Sequence, residues 1–195
     1  MTHASFFLFL GQSACYRKAC HHANCRNFDR KRWCLLVLFY MQNVMTQTYE
    51  LEDEARTLQL GAELASLVKP GDVIALHGGL GAGKTTFSRG LICALVPVVE
   101  DVPSPTYTLV QAYDGPEFPV WHFDLYRLES PDEMDEIGWD ETQDGVALIE
   151  WPDKAGSRLP AWRLDIVFDF EGEHRRVTLE PHGEDWQKRC DEFRF

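Results

Sequence analysis

Apolar and polar positions settle into a regular pattern only from about residue 51. Ala55, Leu58, Ala62 and Ala65 recur at three- and four-residue steps behind Glu52, Asp53 and Glu54. That spacing predicts an amphipathic helix with acids at its positive end, stopped by Lys69-Pro70-Gly71. Val73–His77 is a short apolar run and predicts a buried strand. A glycine-rich turn follows, then a helix from about Lys84 to Leu95, ended before Pro97. Pro103 and Pro105 mark an exposed loop. Tyr107–Tyr113 and Phe118–Phe123 predict a hairpin turning at Asp114-Gly115-Pro116. Pro131–Ile137 predicts a short acidic helix, and Val146–Trp151 an apolar strand that ends in a charge. Leu164–Phe170 and Arg175–Leu179 alternate around Gly172 and predict a second hairpin, with a frayed helix over Glu184–Phe195. Fully apolar strands mixed with alternating ones and with helices imply an α/β fold, a mixed sheet with antiparallel hairpin additions.

Residues 78–85, Gly-Gly-Leu-Gly-Ala-Gly-Lys-Thr, fit the phosphate-loop spacing G-x-x-x-x-G-K-[ST] completely. Glycines let backbone N–H groups approach phosphate oxygens with no Cβ in the way. The helix that follows adds its positive end. Lys84 is then expected to reach the β- and γ-phosphates and the Thr85 hydroxyl to ligate Mg²⁺. The predicted context, strand before and helix after, is the one this loop requires. It narrows the expected fold to a three-layer P-loop NTPase-like architecture. Such a site also needs carboxylates at the ends of neighbouring strands. Trp121-His-Phe-Asp124 and Ala147-Leu-Ile-Glu150 both end that way, and either acid is positioned to take the metal. Ser104-Pro-Thr-Tyr-Thr108 sets hydroxyls on a proline-stiffened loop, where switch segments sense a γ-phosphate.

Charge divides the 195 residues unevenly. Residues 1–44 carry six of the 19 Lys+Arg and one of the 31 acids, a net +5; residues 45–195 carry −17. A body that acidic is a poor lone partner for nucleic acid but can dock a basic protein. Four of the six cysteines lie before residue 45, and the two in the body, Cys93 and Cys190, point to a reducing compartment. The longest apolar run, Trp33–Met41, is nine residues against the roughly 20 a membrane helix needs. Residues 1–44 show no period and no signal-peptide layout. Cys15, Cys20, His21, His22 and Cys25 offer zinc-type ligands at a spacing that matches no standard knuckle. The expected organisation is therefore a non-conforming extension over 1–44, with Met45 as the natural start, and a P-loop domain over 45–195.

Gly79–Thr86, Ser104–Thr108, His122-Phe-Asp-Leu-Tyr-Arg127 and Glu150-Trp-Pro152, in this order and spacing, resemble the bacterial TsaE family. The match runs from about Leu51 to Leu179. That family is the small ATPase of tRNA threonylcarbamoyladenosine biosynthesis. The resemblance implies a cytoplasmic protein that binds ATP and Mg²⁺ and works with the TsaD–TsaB pair. It would meet tRNA only through that complex, which modifies adenosine 37 of tRNAs reading codons that begin with A. Carried over by motif, Leu80, Gly81, Ala82, Gly83, Lys84 and Thr85 form the nucleotide loop, with Thr86 adjacent. Thr85 and Glu150 are the implied Mg²⁺ ligands, Asp124 is the Walker B-like acid, and Trp151 lies beside the site. Glu54 is implied as a nucleotide contact. Gly79 stands where the family usually has Asp or Glu, and the distal contact near Glu173–Arg176 stays unassigned.

The catalytic expectation is that Lys84 and Mg²⁺ neutralise phosphate charge while Asp124 or Glu150 positions water for in-line attack. No arginine finger is evident, Arg127 reads as structural, and turnover of the chain alone should be slow. Two other classes use the same loop. A small-molecule or nucleotide kinase would move phosphate to an added acceptor and usually carries an Arg-rich lid, which is absent after Glu150. A nucleotide-gated binding module would show ATP-dependent partner binding without meaningful turnover.

Overall fold

The computed structural model describes residues 46–195, so the expectations for residues 1–44 and Met45 lie outside the described residues. Apolar runs bounded by turn residues become the centre of one seven-stranded sheet: β1 (Gln47–Leu51), β2 (Val73–His77), β3 (Val110–Asp114), β4 (Pro119–Asp124), β5 (Val146–Glu150), β6 (Arg163–Glu171) and β7 (His174–His182). Their order across the sheet is β1-β7-β6-β2-β5-β4-β3. The four central strands β6, β2, β5 and β4 run parallel, and antiparallel partners close both edges. The strands buried on both faces, β2 and β5, are the ones that read as continuous apolar runs.

One sheet face is covered by α1 (Glu54–Leu64), α2 (Lys84–Leu95) and α3 (Glu184–Glu192), around a core that includes Leu60, Leu64, Leu91, Ile74, Leu148 and Trp186. The other face packs Phe123, Met134 and Ile149 beneath 3₁₀ turns at Pro131–Asp135, Trp139–Asp144 and Pro152–Arg158. The result is the three-layer α/β arrangement that the sequence implies.

Several elements differ from their sequence expectation. The first helix starts as predicted, with Asp53 Oδ1 accepting from the Arg56 N–H at 2.8 Å. Its buried face is Thr57, Leu60, Gly61 and Leu64, whereas Ala55 and Ala62 face solvent. The cause is a backbone-to-backbone crossing with α2. A Cβ on Gly61 would stand 2.3 Å from the Phe87 carbonyl oxygen, and one on Gly90 would stand 2.1 Å from that of Leu58. Strand β3 begins at Val110 rather than Tyr107. Leu109 takes a positive φ of 65°, and its N–H closes a turn onto the Pro105 carbonyl at 2.7 Å. The acidic helix expected over 131–137 is a 3₁₀ turn, held by a capping box between Ser130 and Glu133. Edge strand β1 was not foreseen. The late hairpin is: it turns at Gly172 and is longer than its alternating pattern suggests.

On the face opposite the helices, Asp165 of β6 is almost fully buried. Its carboxylate accepts from Arg163 Nε at 2.6 Å and Nη2 at 2.9 Å, and lies 2.9 Å from His182 Nε2. His77, the last residue of β2, stands 3.6 Å away. Burial alone pushes this carboxyl up. The facing His77, Arg163 and His182 outweigh it and hold the group below its ordinary 3.8.

Two outcomes are expected. Gly61→Ala and Gly90→Ala should each lower stability by about 1–3 kcal/mol in urea unfolding, against the helix preference for alanine, because neither backbone can retreat. Asp165→Asn should lose about 1–3 kcal/mol near neutral pH. A depressed carboxyl adds stability that is whole above its unfolded value of 3.8 and vanishes as pH falls through the lower folded value. The gap between wild type and variant should therefore close in acid, as unfolding curves across pH would show.

Candidate nucleotide-binding site

Leaving β2, the chain makes a tight loop and enters α2 at Lys84. Two glycines are required here, one by a close neighbour and one by its backbone conformation. At Gly78, φ is 138° and a Cβ would meet the Phe168 carbonyl oxygen at 2.7 Å. At Gly83, φ is 109°, in the left-handed region, immediately before the helix. The Lys84 side chain folds back under the loop, and its Nζ donates to the Gly78 and Gly79 carbonyls at 2.8 Å each. It also lies 4.1 Å from the centroid of the Trp151 ring. Only 4% of Lys84 is exposed. Burial lowers its ammonium pKa from the ordinary value, and the negative charges of Glu150 and Asp124 partly oppose that.

Strand register brings the acids to this lysine. Leu76 pairs with Glu150 across β2 and β5, and Asp124 pairs with Glu150 across β4 and β5, so three parallel strands end at one level. Each acid is 3% exposed and hydrogen-bonded. The Thr85 hydroxyl donates to Glu150 Oε1 at 2.8 Å. Asp124 Oδ2 accepts from the Thr106 hydroxyl at 2.6 Å, and Oδ1 accepts from the Tyr126 N–H at 3.0 Å. Ser104 Oγ stands 3.4 Å from Oδ2. The candidate switch loop thus folds directly onto the Walker B-like acid.

Beside the loop, an open cleft of about 240 Å³ is lined by Asp53, Glu54 and Thr57 of the α1 end, Gly81, Ala82, Gly83 and Thr86 of the loop and α2, and Glu173 and Arg175 of the late hairpin. Glu54 and Thr86 therefore meet where the resemblance expects a nucleotide. Glu54 also lies 3.6 Å from Arg89 Nη1. Leu80 projects into solvent at the loop tip, 85% exposed, away from the buried charges. Arg127 is exposed and lies over the Tyr107 ring at 5.6 Å, so it packs on the switch loop and not in the core.

The donor set suits a magnesium nucleotide. Thr85, Glu150 and Asp124 offer hard oxygen ligands, and the loop offers N–H groups and an ammonium for phosphate. One feature escaped the sequence reading: His122 Nε2 lies 3.0 Å from Glu150 Oε1. A histidine inside an apolar strand carries no motif, and its partner follows only from register. Within the stretch left unassigned, Glu173–Arg176, it is Glu173 and Arg175 that line the cleft.

A family model described as "Threonylcarbamoyl adenosine biosynthesis protein TsaE" matches residues 51–178. The TsaE protein of Bacillus subtilis (strain 168) is 40% identical over 132 residues, covering 66% of this chain and 82% of that one. The TsaE protein of Rickettsia conorii is 42% identical over 130 residues, covering 66% and 74%. The crystal structure of Bacillus subtilis YdiB superposes with a TM-score of 0.64 at 32% identity, covering 76% of this chain and 94% of that one. The four motifs, the fold and these relatives converge, and the chain belongs to the TsaE family of threonylcarbamoyl adenosine biosynthesis proteins.

Proposed function

We propose that this chain is the ATP-hydrolysing component of tRNA threonylcarbamoyladenosine biosynthesis, acting with the TsaD–TsaB pair in the cytoplasm. The observation that carries the reading is the contact between the Thr85 hydroxyl and the Glu150 carboxylate directly behind the Lys84 loop. It joins the two expected metal ligands in one hydrogen bond. Mg²⁺, when bound, supplies positive charge to the phosphate oxygens and lowers the cost of charge build-up. Thr85 and Glu150 would hold it, with Asp124 beside them. Lys84 exchanges a loop carbonyl for a phosphate oxygen and stabilises the negative charge that develops there. Asp124, held by Thr106 and the Tyr126 N–H, is fixed to orient water for in-line attack. Asp53–Thr57, Thr86 and Arg175 line the cleft that would take the rest of the nucleotide.

Partner dependence is supported by the rim of the site. Leu80, Tyr107 and Tyr126 are large side chains left exposed around the loop and acids. Such groups favour contact with another protein, and the acidic body favours a basic one. Cys93 and Cys190 form no disulfide with each other, which suits a cytoplasmic location, and no helix among the described residues is long and apolar enough to cross a membrane.

ATP hydrolysis by the chain should be slow alone and rise when purified TsaD–TsaB is added, with and without tRNA. Lys84→Ala and Glu150→Gln should each lower stimulated turnover by about 100-fold or more. Lys84→Ala should also abolish tRNA modification in cells that depend on this chain. Nucleotide binding without stimulation, together with phosphoryl transfer to an added acceptor, would replace this reading with a kinase. ATP-dependent partner binding without turnover would replace it with a gated binding module.

A further inference from the structure

Inside the sheet lies a polar side chain that the hydrolysis scheme does not use. His122 has no solvent exposure. Its Nε2 is 3.0 Å from Glu150 Oε1, and its Nδ1 has no hydrogen-bond partner among the described residues. Among the described residues, Glu150 is thus the only polar contact of a fully buried imidazole. Such a group costs stability where an apolar residue would pack freely, so its presence needs a reason in that one bond. The register supplies the geometry. His122 pairs with Leu148 and Asp124 with Glu150, which makes His122 the diagonal neighbour of Glu150 on the face that meets α2.

We propose that His122 is a positioning residue for Glu150, donating from Nε2–H to Oε1 so that the carboxylate is aimed at the Thr85 hydroxyl. Oε1 then receives two donors, Thr85 at 2.8 Å and His122 at 3.0 Å. Oε2 accepts no hydrogen bond among the described residues, which leaves it for an arriving cation. The ring acts through Glu150 and touches neither nucleotide nor metal. The proposal rests on the Mg²⁺–ATP reading above. A core histidine kept only for packing would serve as well with its proton on either nitrogen, and its loss would weaken all ligand binding alike.

Two measurements on the full chain test it. Nitrogen-15 NMR of histidine-labelled, nucleotide-free protein, with His122 assigned by its loss in His122→Gln, should report the proton on Nε2 and a bare Nδ1. A proton found on Nδ1 with Nε2 bare overturns the proposal and needs no variant to fold. The second measurement is the affinity for a fluorescent ATP analogue with Mg²⁺ and with EDTA. His122→Leu should lose about tenfold of the Mg²⁺-dependent tightening while its metal-free affinity is unchanged. His122→Gln, whose amide nitrogen can reach the Nε2 position, should recover most of it, and His122→Asn should not. Undiminished tightening in His122→Leu, or an equal fall with and without metal, overturns the proposal. Wild-type protein with no Mg²⁺-dependent tightening overturns the Mg²⁺–ATP reading and this proposal with it. That result is distinct from failure of the proposal alone, which leaves wild-type tightening intact.

Discussion

Burying one ammonium and two carboxylates at the carboxyl edge of a parallel sheet is the constraint around which this protein is arranged. Lys84, Asp124 and Glu150 are each almost wholly withdrawn from solvent. An ion taken from water and left unpaired costs several kcal/mol, so each must be met by partners in place before folding is complete. Lys84 finds two loop carbonyls and an aromatic ring, Asp124 two hydroxyls and a backbone N–H, and Glu150 a hydroxyl and an imidazole. No partner of Asp124 or Glu150 comes from its own strand. The strands must therefore end at one level, the switch loop must fold back on β4, and α2 must start at the loop's last glycine.

The helix layer follows from the same demand. For Thr85 to meet Glu150, α2 has to lie close on the sheet, and α1 must then cross α2 without pushing it away. Gly61 and Gly90 make that crossing backbone on backbone. The amino end of α1 consequently stands beside the loop and forms one wall of the cleft, with the late hairpin as the other. A stability device in the helices and the shape of the cleft are two results of one close approach. Bulk at either glycine would disturb both.

How much of this can be read from residues depends on what each signal measures. The loop and its flanking strand and helix were legible because the Gly-x-x-x-x-Gly-Lys-Thr spacing reports backbone geometry directly. Asp124 and Glu150 were legible because an acid that ends an apolar strand has to lie at a sheet edge. The face of α1 was misread because periodicity counts apolar side chains, and Gly61 is buried by having none. Edge strand β1 was missed because its partner β7 lies more than 120 residues away, as the pairing of Gln47 with Leu179 illustrates. The 3₁₀ turns over 139–144 and 152–158 were missed for a related reason. Their short runs gain order from the sheet face they cover, and their own propensity says little. His122 was quoted within its motif but given no role, since its contact with Glu150 exists only through the register of β4 on β5.

Trp151 shows how the site overrides a local preference. It follows Glu150 at the end of β5 and takes φ 60°, ψ 51°, a left-handed conformation uncommon for a bulky residue. Glycine would adopt that turn more easily, at a saving of about 1 kcal/mol. Glycine would also remove the ring that lies over the Lys84 ammonium and packs 5.0 Å from Tyr126. Strain of this kind persists only where the surroundings over-determine it. Here they do so from two sides. Glu150 must end its strand facing Thr85, and the next side chain must turn back over the lysine. A sharp reversal at residue 151 satisfies both, and the aromatic ring gives a buried cation a partner that carries no full charge of its own.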